Sequence, residues 1–356
     1  MLINIIYSNH GLALVLGSVP LHIVVGGFFG DEGKGKITAY FSLSRGPSYV
    51  ARTGASNAGH TVVYKGQRYR LRIVPSGFIN SGARLIVARG ALVSLDVLLR
   101  EVEELGVGDR FLVDELAGII TKEHVERERR DAYLMSHVGS TGTGVGAAMV
   151  DRVLRRLRLA RDYPVLKRFL ADTQSLLLEA LDRGDLVLVE ASQGYWLSLY
   201  HGTYPFVTSR DTTASAALSE LGLGPRHVER ITVVFKAYVT RVGAGPLPGE
   251  MSREEVEKLG WVEYGTVTGR PRRVAPFSTE LARRAVRANT ATDIAITKLD
   301  KVFPETRCAK TWEKLPRRAR QWVEMIEESV GAPVSVIGTG EEVGCTIDRS
   351  EEVLAG

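Results

Sequence analysis

Short apolar runs punctuate the chain at Leu21–Val25, Tyr49–Ala51, Leu85–Ala88, Leu186–Val189, Ile231–Phe235, Ile294–Ile296 and Val334–Ile337, each followed by glycine or a polar residue. Between them lie longer stretches with helical spacing. One has Ser94 as its N-cap, Leu95, Leu98, Leu99, Val102 and Leu105 on one face, and Gly106 at its close. Another starts near Pro316 and carries Ala319, Trp322, Val323, Ile326 and Val330 before Gly331. This alternation predicts an α/β fold, a mainly parallel central sheet with helices on both faces, and places ligands at the carboxyl ends of the strands. Residues from about 94 to 183 are helix-rich and strongly ionic and are expected to form a helical insertion. Residues from about 238 to 290 are expected to form a smaller α+β subdomain. Residues 1–20 precede the first core strand and are expected to lie outside a single catalytic unit spanning 21–356.

With 356 residues, 44% of them apolar, the chain can bury a large core. The net charge of +5 is mild, and the basic residues cluster locally at Arg152–Arg168 and Arg270–Arg273. Such clusters suit phosphorylated small molecules as well as nucleic acid. Without an aromatic or groove-entering element, no nucleic-acid partner is expected. The two cysteines, Cys308 and Cys345, have no CxxC spacing, so neither a disulfide framework nor a zinc site is expected, and a reducing cytoplasm is the expected compartment. No apolar run reaches the roughly 18 residues of a membrane span, and residues 1–20 lack the pattern of a secretory signal, so no membrane association is expected.

The strongest chemical signal is Gly26-Gly27-Phe28-Phe29-Gly30-Asp31-Glu32-Gly33-Lys34-Gly35-Lys36, directly after the first apolar run. A strand running into closely spaced glycines and lysines and then a helix builds a phosphate cradle from backbone N–H groups. Gly30 to Lys36 fits G-x-x-x-x-G-K, but Ile37 stands where a P-loop has a magnesium-binding hydroxyl. Asp31 sits inside the loop, where a carboxylate beside a polyphosphate is unfavourable, and so points to coordination or acid–base chemistry. A second loop, Thr53 to Thr61, offers Asn57 and the titratable His60 among small residues at the same strand-end rim.

These two elements resemble adenylosuccinate synthetases, GTP-dependent ligases that join aspartate to IMP. The family's GDEGKGK loop stands at Gly30–Lys36 and its NAGHT element at Asn57–Thr61. The likeness continues, in family order, through Gly139–Gly146, Glu190–Gly194, His201–Ser209, Lys236–Pro248, Thr266–Arg273, Thr297–Asp300 and Gly338–Gly340. The resemblance implies a GTP site at Gly30, Glu32, Gly33, Lys34, Gly35, Lys36, Gly59, His60, Thr61, Arg272, Lys298, Asp300, Gly338 and Gly340. It implies an IMP site at Asp31, Asn57, Thr141, Arg155, Gln193, Thr208 and Arg270, and an aspartate site at Thr266, Val267, Thr268, Gly269 and Arg270. Arg155 corresponds to an arginine that reaches the IMP of a neighbouring subunit, which implies a homodimer. Thr297-Lys298-Leu299-Asp300 has the shape of a guanine-reading box, whose carboxylate accepts from N1–H and the exocyclic amine of guanine.

The implied mechanism has two steps. Asp31 removes the N1 proton of IMP, and O6 attacks the γ-phosphorus of GTP, with His60 donating toward the leaving side and Lys34 neutralising charge in transfer. The amine of L-aspartate then displaces phosphate. The implied cofactor is Mg2+, held by Asp31 and the carbonyl of Gly59. The chain departs from the family at Phe28-Phe29, where Gln-Trp is usual, at Thr143, where many members carry arginine, and at Pro271, which interrupts the arginine run. It is also shorter than typical bacterial members. A relative that builds an aminoadenine precursor lacks the loop aspartate, and a regulatory GTPase needs the hydroxyl that Ile37 does not supply.

Overall fold

The computed structural model describes residues 4–8, 11–15, 20–265 and 269–354. Its organising element is a ten-stranded sheet. In chain order its strands are β1 (Leu21–Gly26), β2 (Tyr49–Arg52), β3 (Arg84–Val87), β4 (Phe111–Asp114), β5 (Leu170–Ala171), β6 (Val187–Glu190), β7 (Val228–Lys236), β8 (Asp293–Thr297), β9 (Val334–Gly338) and β10 (Thr346–Asp348). In space they run β5-β4-β3-β2-β6-β1-β7-β8-β9-β10, and every pairing is parallel except the antiparallel edge between β9 and β10. The chain winds outward from β1 to one side and later to the other. That reversal puts the loop after β1 at a switch point, where an open α/β sheet forms its ligand crevice.

The apolar runs are continuous because both faces of the sheet are covered. Leu21, Ile23 and Val25 of β1 join one buried cluster and Val24 joins another, and β6 and β7 divide in the same way. Alternate side chains point to opposite faces, so a strand serving two cores has no polar face to show. The helix α1 (Lys34–Arg45) packs fully buried Ile37 and Phe41 into one core. Two such side chains stabilise the helix by about 1.5–3 kcal/mol each, enough to fix the phosphate loop at its start. The helix α2 (Leu95–Glu104) occupies the expected span, although the side chain of Ser94 makes no capping hydrogen bond. On the other face the helix that begins after Pro316, Arg317–Val330, buries Val323, Ile326 and Val330 and ends on left-handed Gly331.

The stretch from 94 to 183 supplies β4 and β5 as well as the helices α3 (Lys122–Arg130) and α4 (Val145–Val153). An antiparallel pair, Tyr238–Arg241 with Arg273–Pro276, stands apart from the large sheet. Asn4–Ser8 and Gly11–Val15 pair only with each other.

One expectation is overturned. Cys308 and Cys345, 37 residues apart, form a disulfide with Cα atoms 4.4 Å apart. Spacing along the chain carried no sign of it, because proximity is created by the fold: Cys308 follows β8, Cys345 precedes β10, and β9 lies between those strands. No helix among the described residues is long and apolar enough to cross a membrane.

Candidate active site

A cleft of about 780 Å³ opens at the carboxyl ends of the strands. It is lined by Gly30, Asp31, Gly33, Lys34, Gly35 and Lys36, by Asn57, Gly59, His60 and Thr61, and by Thr141, Gln193, Thr208, Gly269, Arg272, Lys298 and Gly340. Residues from eight separated segments expected to bind ligands therefore meet in one place.

The loop's shape follows from its residue types. Gly30 (φ 84°), Asp31 (φ 63°) and Gly33 (φ 88°) all adopt left-handed backbone. Glycine takes that region without a steric cost, and the short polar aspartate tolerates it. Nearly fully buried Glu32 fastens the turn: one carboxylate oxygen accepts from the N–H groups of Phe28 (3.0 Å) and Gly30 (2.8 Å), and the other pairs with Lys34 Nζ at 2.7 Å. The Thr297 hydroxyl, at the end of β8, donates to the Glu32 carbonyl at 2.6 Å and ties the loop to the sheet. Glu32, expected among the GTP ligands, thus turns its side chain inward and offers only its backbone. Gly26 lies beneath this lock, where a Cβ would fall 2.4 Å from the Gln193 carbonyl and 2.6 Å from the Glu32 carboxylate.

Asp31 faces the cleft and forms a 2.8 Å ion pair with Arg272 Nη2. Burial raises its pKa above the usual carboxylate value, outweighing the opposing effects of Arg272 and Lys236. Arg272 also bonds to Glu263, which accepts from Lys236 Nζ (2.9 Å) and the Tyr238 hydroxyl as well. Burial would raise the Glu263 pKa, but Lys236, Lys298 and Arg272 together hold it well below the usual range. Glu263 is therefore an anionic hub that holds Arg272 and Lys236 beside Asp31.

His60 is positioned from behind. Its Nδ1 lies 2.5 Å from Glu190 Oε1 and 2.7 Å from Arg52 Nη1. One nitrogen cannot donate to the carboxylate and accept from the guanidinium together. Arg52 also contacts Glu190 Oε2 (3.3 Å) and the Ala58 carbonyl (3.2 Å), whereas two acceptors at 2.5 Å would repel. The proton therefore sits on Nδ1, bonded to Glu190, and Nε2 is left for the cleft. Burial, aided by Arg52, lowers the His60 pKa to about 4, and His60 and Arg52 overcome burial to bring Glu190 to about 2.

Lys36 Nζ donates to the carbonyls of Gly340 and Cys345, each at 2.6 Å, and burial lowers its pKa to about 7. Lys298 lies 3.5 Å from Glu341 and 3.9 Å from Glu263. The buried atoms Asn57 Oδ1, Gln193 Oε1, Ser209 Oγ, Asp300 Oδ1 and Arg272 Nε have no hydrogen-bond partner within the protein. Buried polar atoms are ordinarily satisfied, so this cluster around one cleft marks groups shaped for a polar ligand.

Other residues stand elsewhere. The Arg270 guanidinium donates to the carbonyls of Gly139 (3.0 Å) and Ser140 (3.1 Å), bracing the loop that carries Thr141. Arg155 is exposed outside the cleft, just beyond α4. Asp300 and Gly338 are not among the cleft-lining residues, although their neighbours Lys298 and Gly340 are, while Thr266, Val267 and Thr268 lie outside the described residues. The departures are accommodated locally: Phe28 packs edge-on against Phe235 (4.7 Å), Phe29 lies under the Arg241 guanidinium (4.5 Å), and the Thr143 hydroxyl bonds to that of Thr141 (2.9 Å). Glu32, Glu190, Arg52, Glu263 and Lys236 form the supporting shell that sequence reasoning gave no such role. Glu190, Lys236 and Glu263 sit beside or within the matched motifs, which was the only available signal.

A family model described as adenylosuccinate synthetase matches residues 23–163 and 157–305. Adenylosuccinate synthetase of Archaeoglobus fulgidus is 50% identical over 333 residues, covering 93% of this chain and 99% of the relative. That of Pyrococcus horikoshii is 48% identical over 339 residues, covering 94% and 100%. Among solved structures, a fully ligated adenylosuccinate synthetase from Plasmodium falciparum superposes with a TM-score of 0.86 at 22% identity, covering 92% of this chain and 99% of that one. Cyanophage S-2L succinoaminodeoxyadenylate synthetase, bound to dGMP and dATP as an energy donor, gives 0.79 at 25% identity, covering 95% and 97%.

Proposed function

We infer how the cleft works from the premise that this chain belongs to the adenylosuccinate synthetase family, ligating L-aspartate to IMP with GTP and Mg2+ through a 6-phosphoryl intermediate. In our reading Asp31 is the general base that takes the N1 proton of IMP. The observation that carries it is a buried carboxylate with a raised pKa, set in left-handed backbone within the phosphate loop and oriented by Arg272. A base works best when its pKa is moved toward the operating pH. Deprotonation at N1 puts charge on O6, which attacks the γ-phosphorus of GTP. Arg272 and Lys34, which line the cleft, face the negative charge that gathers there.

His60 Nε2 is the group placed to meet the leaving side, and Glu190 fixes the ring. The amine of aspartate then displaces phosphate at C6, its carboxylates held by the Thr266–Arg270 loop and Arg272. The donor set fits magnesium, which commonly takes one or two carboxylates plus phosphate oxygens: Asp31 and the Gly59 carbonyl would hold it. When bound it would neutralise phosphate charge, with Asp31 and Gly59 in place of the P-loop hydroxyl that Ile37 does not supply. Cytoplasmic residence is part of this reading, since purine nucleotides are its substrates.

The test is the ultraviolet change on mixing protein, IMP, aspartate, GTP and magnesium. Omission of any one should abolish it, and dGMP should not replace IMP. GTP turnover independent of IMP and aspartate would overturn the reading.

Asp300 is proposed to read guanine, its unpartnered buried oxygen awaiting the N1–H and amine of the base. Asp300→Asn should therefore raise the KM for GTP by about 10- to 100-fold, since a charge-assisted hydrogen bond contributes about 1.5–3 kcal/mol. Initial rates against GTP and ITP would show it, because ITP lacks the amine and should lose far less.

A homodimer is the proposed assembly. Val150, Val153 and Leu154 are 55%, 66% and 50% exposed, and exposed Arg155 follows them in the chain outside its own cleft. A second copy seated on this patch would bury the apolar stripe and receive Arg155 at its IMP site. Subunit mixing tests this directly: Asp31→Asn and Arg155→Ala variants should each be weak alone. Exchanged at equal amounts they should regain about a quarter of wild-type sites, the share expected for random pairing. Failure to regain activity would separate Arg155 from the neighbouring site.

A further inference from the structure

Two motifs that the family resemblance places at the GTP site, one of them carrying the proposed guanine reader Asp300, each precede a cysteine. Lys298–Asp300 runs on to Cys308, and Gly338–Gly340 runs on to Cys345. The disulfide between them joins the two walls of that end of the cleft. It is woven into the wall: Cys308 N–H donates to the Thr339 carbonyl (2.8 Å), Thr339 N–H donates to the Cys345 carbonyl (3.0 Å), and the Thr339 hydroxyl donates to the Ala309 carbonyl (2.7 Å). A Cβ at Gly340 would fall 3.1 Å from Cys345 Cβ, so the bridge packs against the cleft-lining glycine. The Cys345 carbonyl, with that of Gly340, also holds the ammonium of Lys36, the last lysine of the phosphate loop. The two halves differ in access: Cys308 is exposed, and Cys345 is only 7% exposed.

We propose that the Cys308–Cys345 disulfide is a redox-sensitive clamp on the nucleotide-base end of the cleft, tightening the grip on GTP when closed and loosening it when reduced. The proposal rests on the reading that this end takes GTP. With the bridge closed, the loop carrying Gly338–Gly340 is held both to the segment after Asp300 and to Lys36. With it open, the loop keeps its hydrogen bonds but loses its covalent tie, and the base must order it on binding. Opening is a thiol–disulfide exchange: a thiolate of a dithiol donor attacks the sulfur of Cys308, the more exposed residue of the pair, the Cys308–Cys345 bond breaks, and Cys345 leaves with the electron pair and takes up a proton. The donor's second thiolate then attacks the mixed disulfide and releases Cys308, so two electrons and two protons pass to the protein and the donor ends as a disulfide. An oxidised dithiol closes the clamp by the reverse exchange.

The test uses the full chain. Alkylation followed by intact-mass measurement should add no group to the oxidised protein and two groups after treatment with a dithiol. Calorimetric titration in each state should then show GDP binding weakened about threefold or more by reduction, a loss in the range that ordering a few side chains imposes. IMP binding should not change. A Cys308→Ser, Cys345→Ser double variant should bind GDP like the reduced protein whatever the redox state. GDP affinity equal within about twofold in both states would overturn the clamp, even if reduction lowered the melting temperature, because the bridge would then serve stability alone. Two alkylatable thiols after oxidation would overturn it as well. No GDP binding in either state would instead bring down the nucleotide reading, and the clamp with it.

Discussion

Asp31→Asn should lower kcat by about 100- to 10,000-fold, the range assigned to a positioned general base, while the melting temperature stays level or rises. Asparagine is the informative replacement because it keeps the size of the side chain and tolerates the left-handed backbone at this position. Stability should not suffer, and the sign follows from linkage. A carboxyl whose folded pKa is raised stabilises the fold fully only below its unfolded pKa of 3.8, and that contribution is lost as pH rises through the folded value. At neutral pH the buried charge is thus no asset to the fold, and Arg272 keeps Glu263 as a partner when it is removed. The wild-type kcat/KM should also fall on acidification through the raised Asp31 pKa, an acid limb that the variant should lack. The ultraviolet assay with thermal melts on both proteins checks all three outcomes. Turnover near wild type would remove Asp31 from the chemistry.

Much of this arrangement was legible in the sequence for physical reasons. The parallel sheet announced itself because strands that feed two cores read as unbroken apolar runs, and the Leu21–Val25 run followed by glycines located the crevice. The last two strands on one side of the sheet, β4 and β5, were not legible: Leu170–Ala171 is only two residues long and Phe111–Asp114 sits inside a strongly ionic stretch. Cleft-facing residues such as Asp31, His60, Lys34 and Gln193 could be named because each lies in a motif whose chemistry is local. Their supports could not. Glu190 holds His60 across 130 residues of chain, and Glu263 gathers Lys236 and Arg272 from separate segments, so these carboxylates acquire meaning only when the fold brings them together. The disulfide was missed for the same reason. Spacing reports motifs, and the pairing of Cys308 with Cys345 is a property of the fold.

Replacing His60 by asparagine should reduce kcat by about 100- to 1,000-fold, comparable to losing a donor aimed at developing charge. The geometry implies a specific pH signature. In the free protein burial and Arg52 keep the imidazole neutral above about 4, with its proton committed to Glu190. A neutral ring so oriented presents a bare Nε2, which cannot donate to phosphate. A triphosphate beside Nε2 favours the imidazolium, so GTP binding should raise the His60 pKa and draw in a proton. Linkage then requires GTP affinity to increase as pH falls below the ligand-bound pKa, levelling off below about 4, where the free protein is already protonated. His60→Asn should flatten this dependence. Glu190→Gln should leave the ring present but poorly aimed, with a smaller loss of about tenfold, as for a positioning partner. Calorimetry in buffers of different ionisation heat counts the proton taken up, and NMR titration of the imidazole gives both pKa values. Binding of GTP with no proton uptake anywhere in this window would show that His60 stays neutral in the complex, and its role would then reduce to packing against the loop.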